Sequence, residues 1–195
     1  TSQPKRPEPI YSLYVLKCLM AFLVVTCHTP FYVSGGYLSP LARGAVSAFF
    51  LISGYFLYAP SPKTSYNRAI KSLKSTVKIF LVVSLFYWAW LLPNQGNLMN
   101  SWETFFKWIL VGGAFSIHLW YLAAMIQALL VMALILRFGR SWMFWCLLPL
   151  FVFGLLGGLY GFLLTDAKTE YVYNVYTSIC YGLPCMAGGY LIGKY

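Results

Sequence analysis

A chain of 195 residues that is 60% hydrophobic, 19% aromatic and only 9% charged is too apolar for a soluble domain, where about a quarter of the residues carry charge. That excludes a water-soluble enzyme or binding module and points to a polytopic membrane protein. The net charge of +10 sits at the rims of apolar segments, where anionic lipid is the fitting partner, so the lipid bilayer is expected and nucleic acid is not.

Residues 1–10 are a polar lead with three prolines. Lys5 and Arg6 precede an apolar run too long for the h-region of a cleavable signal, with no small-residue cleavage site behind it. A first span over about residues 11–31 is therefore expected to be retained. It carries one cation and one imidazole. Lys17 and His28 stand about three turns and about 16 Å apart on a helix, and Tyr14, Ala21 and Val24 share with them an arc of about 80°. Ionisable groups in a spanning helix are costly and normally face a bundle interior or a water-filled cavity, which makes the pair a functional-site hypothesis. The alternative stays open that Lys17 snorkels to the cytoplasmic surface while His28 is a satisfied polar end before Pro30.

The loop Ser34-Gly35-Gly36 leads to a short second span over about residues 44–59, preceded by Arg43 and closed by Pro60 and Pro62. A basic segment follows, with Lys63, Arg68, Lys71, Lys74 and Lys78 and no acid. The third span, over about residues 76–92, is expected to stop at the turn cluster Pro93-Asn94-Gln95-Gly96. Residues 101–113 are aromatic and too short to cross, and read as an interfacial helix. Spans over about residues 116–136, 142–164 and 171–193 follow. The glycine pairs 154/158, 157/161 and 189/193 imply close contacts for the fifth and sixth spans, and Pro184 is expected to kink the sixth. The expected fold is all-α: a polytopic membrane helix bundle of about six transmembrane helices plus one short interfacial helix, in a single domain. The chain starts at Thr1 and stops in LIGKY just past an apolar run, so it is expected to be a fragment of something longer.

Orientation follows from the cations. With the N-terminus inside, Lys5, Arg6, Lys63, Arg68, Lys71, Lys74, Lys78, Arg137, Arg140 and Lys194 fall on the cytoplasmic side. Arg43, Lys107 and Lys168 fall outside, together with Glu103, Asp166 and Glu170. A multi-pass protein of the cytoplasmic (inner) membrane is the expectation, with Lys17 nearer the cytoplasm and His28 nearer the outer face.

The five cysteines, Cys18, Cys27, Cys146, Cys180 and Cys185, lie in apolar segments without metal-type spacing and are expected to be thiols packed as small apolar residues. No metal site is expected. Nucleotide-binding glycine loops, a G-x-S-x-G elbow and H-E-x-x-H are all absent from the sequence. No carboxylate falls within a span, which weakens a proton-coupled transporter, since that class usually places one there.

The segments LKCLMAFLVVTCHT, AFFLISGYFLY, RAIKSLK and HLWYLAAM, in that order, resemble the membrane domain of the acyltransferase 3 family, integral-membrane O-acyltransferases that modify surface glycans. The resemblance implies a domain of about ten helices, of which this chain would hold the first six. Lys17 and His28 match the basic residue and histidine of the family's first helix. Arg68 and, conservatively changed, Lys71 match a basic motif in the loop after the second helix. Phe49, Phe50, Ser53 and Gly54 match a F-F-x-x-S-G segment, and Leu119, Trp120, Tyr121 and Leu122 a L-W-Y-L segment. One departure matters: Tyr14 stands where the family usually has an acid, so a carboxylate partner for Lys17 must come from elsewhere or not exist.

The implied reaction moves an acyl group, acetyl by family expectation, from acyl-CoA to a hydroxyl of a glycan or similar acceptor. Taking the hydroxyl proton requires a base, and the imidazole of His28, with an ordinary pKa near 6.5, suits that role. Lys17 would attract the donor or stabilise developing negative charge. Arg68 and Lys71 would hold the CoA phosphates as cofactor-binding residues. Ser53 reads as a packing site, since no base adjoins it in sequence, and His118 as part of an aromatic belt beside Trp120 and Tyr121. A rival from another class stays open, because membrane domains similar to this family are also fused to serine racemases, where they look like suppliers of amino acid.

Overall fold

The structure, a computed structural model, describes residues 11–28, 38–95, 101–111, 119–140, 142–152 and 178–195. Its regular elements are helices, and no strand occurs among the described residues. The chain divides into two compact units, Thr1–Phe49 and Phe50–Tyr195.

In the first unit α1 runs unbroken over Tyr11–His28, a stretch with four leucines and with no proline or glycine to interrupt it. Tyr14, Val15, Leu19, Phe22 and Val25 are exposed along it. The next helix, α2, spans Leu38–Leu57. It begins in the first unit, and its residues from Phe50 onward belong to the second.

In the second unit α3 spans Pro62–Gln95, 34 residues or about 51 Å. Pro62 suits the opening turn, where its missing N–H is no loss. The Ser61 carbonyl accepts the N–H groups of Thr64 (3.0 Å) and Ser65 (3.1 Å). The basic segment expected as a loop is thus the first four turns of this helix. The other end differs too, because the helix passes through Pro93 to Gln95 instead of stopping there. A proline in the last turn forfeits a single ladder hydrogen bond where the helix is about to end anyway.

Ser101 caps α4 (Trp102–Val111), its Oγ accepting the Thr104 N–H at 3.2 Å. This is the expected short aromatic helix, and it docks on α3. The Trp108 ring stacks on Phe80 with centroids 5.6 Å apart, and its indole N–H donates to the Ser84 hydroxyl at 2.9 Å. Helix α5 (Trp120–Phe138) packs against α3 and α4. Leu119 and Ala123 meet Phe80 in a small core joined by Val83, Tyr87, Leu122 and Ile126. At its far end Arg137 lies over the Tyr66 ring of α3, 5.5 Å from the centroid.

A short helix α6 (Met143–Leu147) follows, and helical backbone resumes over residues 149–152. Among the described residues the final segment opens with a π-helical turn, Ser178–Gly182, that passes into α7, Leu183–Lys194. The expected disturbance at Pro184 therefore falls one turn ahead of the proline, which sits where an α-helix tolerates it. Helix α7 packs on α5 and α6, with the Tyr190 ring 4.6 Å from Phe144 and 5.6 Å from Tyr58.

Glycines fix how closely α7 approaches α2. A Cβ added at Gly54 would lie 1.9 Å from the Met186 carbonyl oxygen, and one at Gly189 would lie 1.8 Å from that of Leu51. The backbones touch at two points. Gly189 and Gly193 thus turn to α2, while Gly188 looks toward Leu148. The pairs 154/158 and 157/161 lie outside the described residues.

Among the described residues two helices are long and apolar enough to cross a membrane, Pro62–Pro93 and Trp120–Phe138. Tyr11–Val25, Gly44–Leu57 and Met143–Val152 are apolar but shorter as described.

Candidate functional site

Helix α1 supplies the first pair of predicted site residues. Because it is continuous from Tyr11 to His28, the spacing of Lys17 and His28 does amount to about three turns and about 16 Å. Lys17 is half-buried on a helix without acidic residues, and Tyr14, in the place of the expected acid, is exposed. His28 closes the helix, and its side chain lies outside the described residues, as does the whole of His118.

The second pair stands at the corner between α2 and α3. Leu57 ends α2 with carbonyls that have no intrahelical partner, and such ends attract cationic donors. Arg68, two turns into α3, answers them: its Nη1 donates to the carbonyls of Phe56 (3.4 Å) and Tyr58. Ser65 completes the corner. Its buried hydroxyl accepts the Ala59 N–H at 2.9 Å and donates to the Ala59 carbonyl at 3.2 Å. Arg68 therefore has a structural duty beyond the donor contact expected of it, and part of its five-donor fork is engaged. Lys71, one turn further, is exposed. Sequence reasoning missed Ser65, and no pattern in the sequence marks it, because its value lies in a chain reversal six residues upstream.

The two apolar motifs serve the core. Phe50 is fully buried, with its ring in an edge contact 5.1 Å from Tyr121. A Cβ on Gly182 would press against the same Phe50 ring at 2.8 Å, so α2, α5 and the π-helical turn meet here. Gly54 allows the contact with α7, while Leu119 and Leu122 hold α5 to α3. Ser53, half-buried beside Gly54, stands in a packing segment. Among the described residues no group of three or more His, Cys, Asp or Glu side chains is arranged to hold a metal ion.

The family model described as an acyltransferase domain, of the acyltransferase 3 family, matches residues 10–195. A serine/alanine racemase of Enterococcus gallinarum is 29% identical over 138 residues, which is 68% of this chain and 20% of that protein. The chain thus spans about a fifth of the length of this curated relative. No solved structure matches it. With almost its whole length matched by the model, and with the first-helix, basic, F-F-x-x-S-G and L-W-Y-L residues present in order, the chain belongs to the acyltransferase 3 family of membrane proteins.

Proposed function

We propose that this chain belongs to a membrane O-acyltransferase that moves an acyl group from cytoplasmic acyl-CoA to a hydroxyl of an extracytoplasmic glycan or similar acceptor, through about six spans in the cytoplasmic membrane. Membership of the family supports the reaction class. The unbroken register of Lys17 and His28 along α1 is the observation that carries the assignment of roles.

His28 is the general base. It takes the proton of the acceptor hydroxyl as the oxygen attacks the thioester carbonyl, and the thiolate of CoA leaves, to be protonated on release. Lys17, half-buried, stabilises negative charge that develops during the transfer, which a fixed cation does best where water is scarce. Lys71 and the remaining donor capacity of Arg68 hold the CoA phosphates.

In the full-length protein, His28→Ala lowers acyl transfer about 10²- to 10⁴-fold, the usual contribution of a positioned base, with expression and membrane insertion retained. Lys17→Arg keeps partial activity and Lys17→Ala loses most of it. A His28→Ala protein that acylates at the wild-type rate would end the mechanism.

A second reading, uptake of an amino acid such as serine, starts from the partial similarity to a serine/alanine racemase, which covers a fifth of that protein. Reconstituted vesicles separate the two. Acyl transfer gives acylated product from acyl-CoA and acceptor, whereas uptake gives serine accumulation with no acylated product.

A further inference from the structure

Helix α3 carries a cationic face that continues past the two residues used above. Its packed side holds Phe80, Val83, Ser84 and Tyr87 against α4 and α5. About 140° round the helix from that side, Lys74, Lys78, Leu81 and Leu85 form one stripe at helical spacing within an arc of about 60°. All four side chains are exposed, and so is Val82 beside them. Arg68 faces elsewhere, toward the end of α2, while Lys71, one turn before Lys74, adjoins the stripe.

The order along the stripe is informative: two ammonium groups one turn apart come first, then an exposed apolar strip about 11 Å along the axis from Lys78 to Leu85. A soluble phosphate ligand would need the cations alone and would leave the strip unexplained. Another helix would meet an uncompensated pair of lysines, since α3 brings no acid to either side of them. A phospholipid satisfies both halves. Its anionic headgroup lies between the lysines, near the point where the helix enters the apolar layer, and its acyl chains run along Leu81, Val82 and Leu85.

We propose that Lys74 and Lys78, with Leu81, Val82 and Leu85, form a binding stripe on α3 for an anionic phospholipid of the inner leaflet, on a face turned away from the carbonyl contacts of Arg68. The site stands whether the protein transfers acyl groups or takes up amino acids, because it requires only that α3 cross the membrane with its basic end in the cytoplasm.

The test uses the purified full-length protein in detergent, with bound lipid counted by native mass spectrometry during titration with phosphatidylglycerol or phosphatidylcholine. Wild type prefers phosphatidylglycerol. Lys74→Gln with Lys78→Gln weakens that lipid about thirtyfold, at about fivefold per lysine, and leaves phosphatidylcholine unchanged. Lys74→Arg with Lys78→Arg keeps the preference, which separates lost charge from lost fold. Arg68→Ala also keeps it. Undiminished phosphatidylglycerol binding in the Gln variant would overturn the site. So would competition by coenzyme A or inorganic phosphate as effective as that by the lipid, or a wild type with no preference between the two lipids.

Discussion

Glycine 54 shows how a single missing Cβ decides the packing of two helices. With only 1.9 Å between its Cβ position and the Met186 carbonyl oxygen, Gly54→Ala forces the α2 and α7 backbones apart. Overpacking against backbone of this kind costs about 3 kcal/mol. Gly44, on the same helix, has nothing within 4 Å of its Cβ position, so Gly44→Ala gains about 1 kcal/mol of helix propensity instead. Thermal unfolding in detergent should move in opposite directions for the two variants, and a similar loss for both would refute the contact. Arg68 makes a second case. On the proposed donor role, Arg68→Ala is expected to weaken acyl-CoA binding and also to lower the unfolding midpoint, because the Phe56 and Tyr58 carbonyls lose their donor. Lys71→Ala, at an exposed position, affects binding alone. The basic motif was legible in the sequence, but the duty of its arginine was not, since a helix end twelve residues upstream is brought beneath it only by the fold.

At the scale of elements, the short aromatic helix could be foreseen from its length and aromatic composition, whereas its seat could not. Trp108 and Ser84 are 24 positions apart, beyond any local spacing rule. Trp108→Phe keeps the stacking on Phe80 and removes the hydrogen bond, leaving the buried Ser84 hydroxyl without its donor. A loss of about 1 kcal/mol is expected, and Ser84→Ala in the same background should cost little more because the bond is already gone. Additive losses in this double-mutant cycle would mean that the bond contributes nothing to holding α4. The extent of α3 shows the opposite failure of local reasoning. Proline and a turn-like tetrapeptide read as a stop at residue 93, yet a long helix packed along α5 absorbs one lost hydrogen bond near its end.

For the molecule as a whole, apolar composition made the membrane class legible, and motif order made the family legible, before any contact was known. What composition could not supply was where the polar length of α3 goes. The 34-residue helix is about 20 Å longer than the hydrocarbon core, and its first four turns bear Lys63, Arg68, Lys71, Lys74 and no acid. An extension this basic belongs on the cytoplasmic side, where the excess of Lys and Arg is found in membrane proteins. On that rule α3 is expected to run outward from the cytoplasm, which predicts a topology with the N-terminus inside. Single cysteines at Asn67, exposed on the extension, and at Asn97, which follows α3 in sequence, test it in a cysteine-free background. An impermeant maleimide applied to intact cells should label position 97 and leave position 67 untouched until the membrane is opened. Labelling of 67 with protection of 97 would invert the protein, put Arg68 and Lys71 on the side that lacks acyl-CoA, and remove them from any donor site.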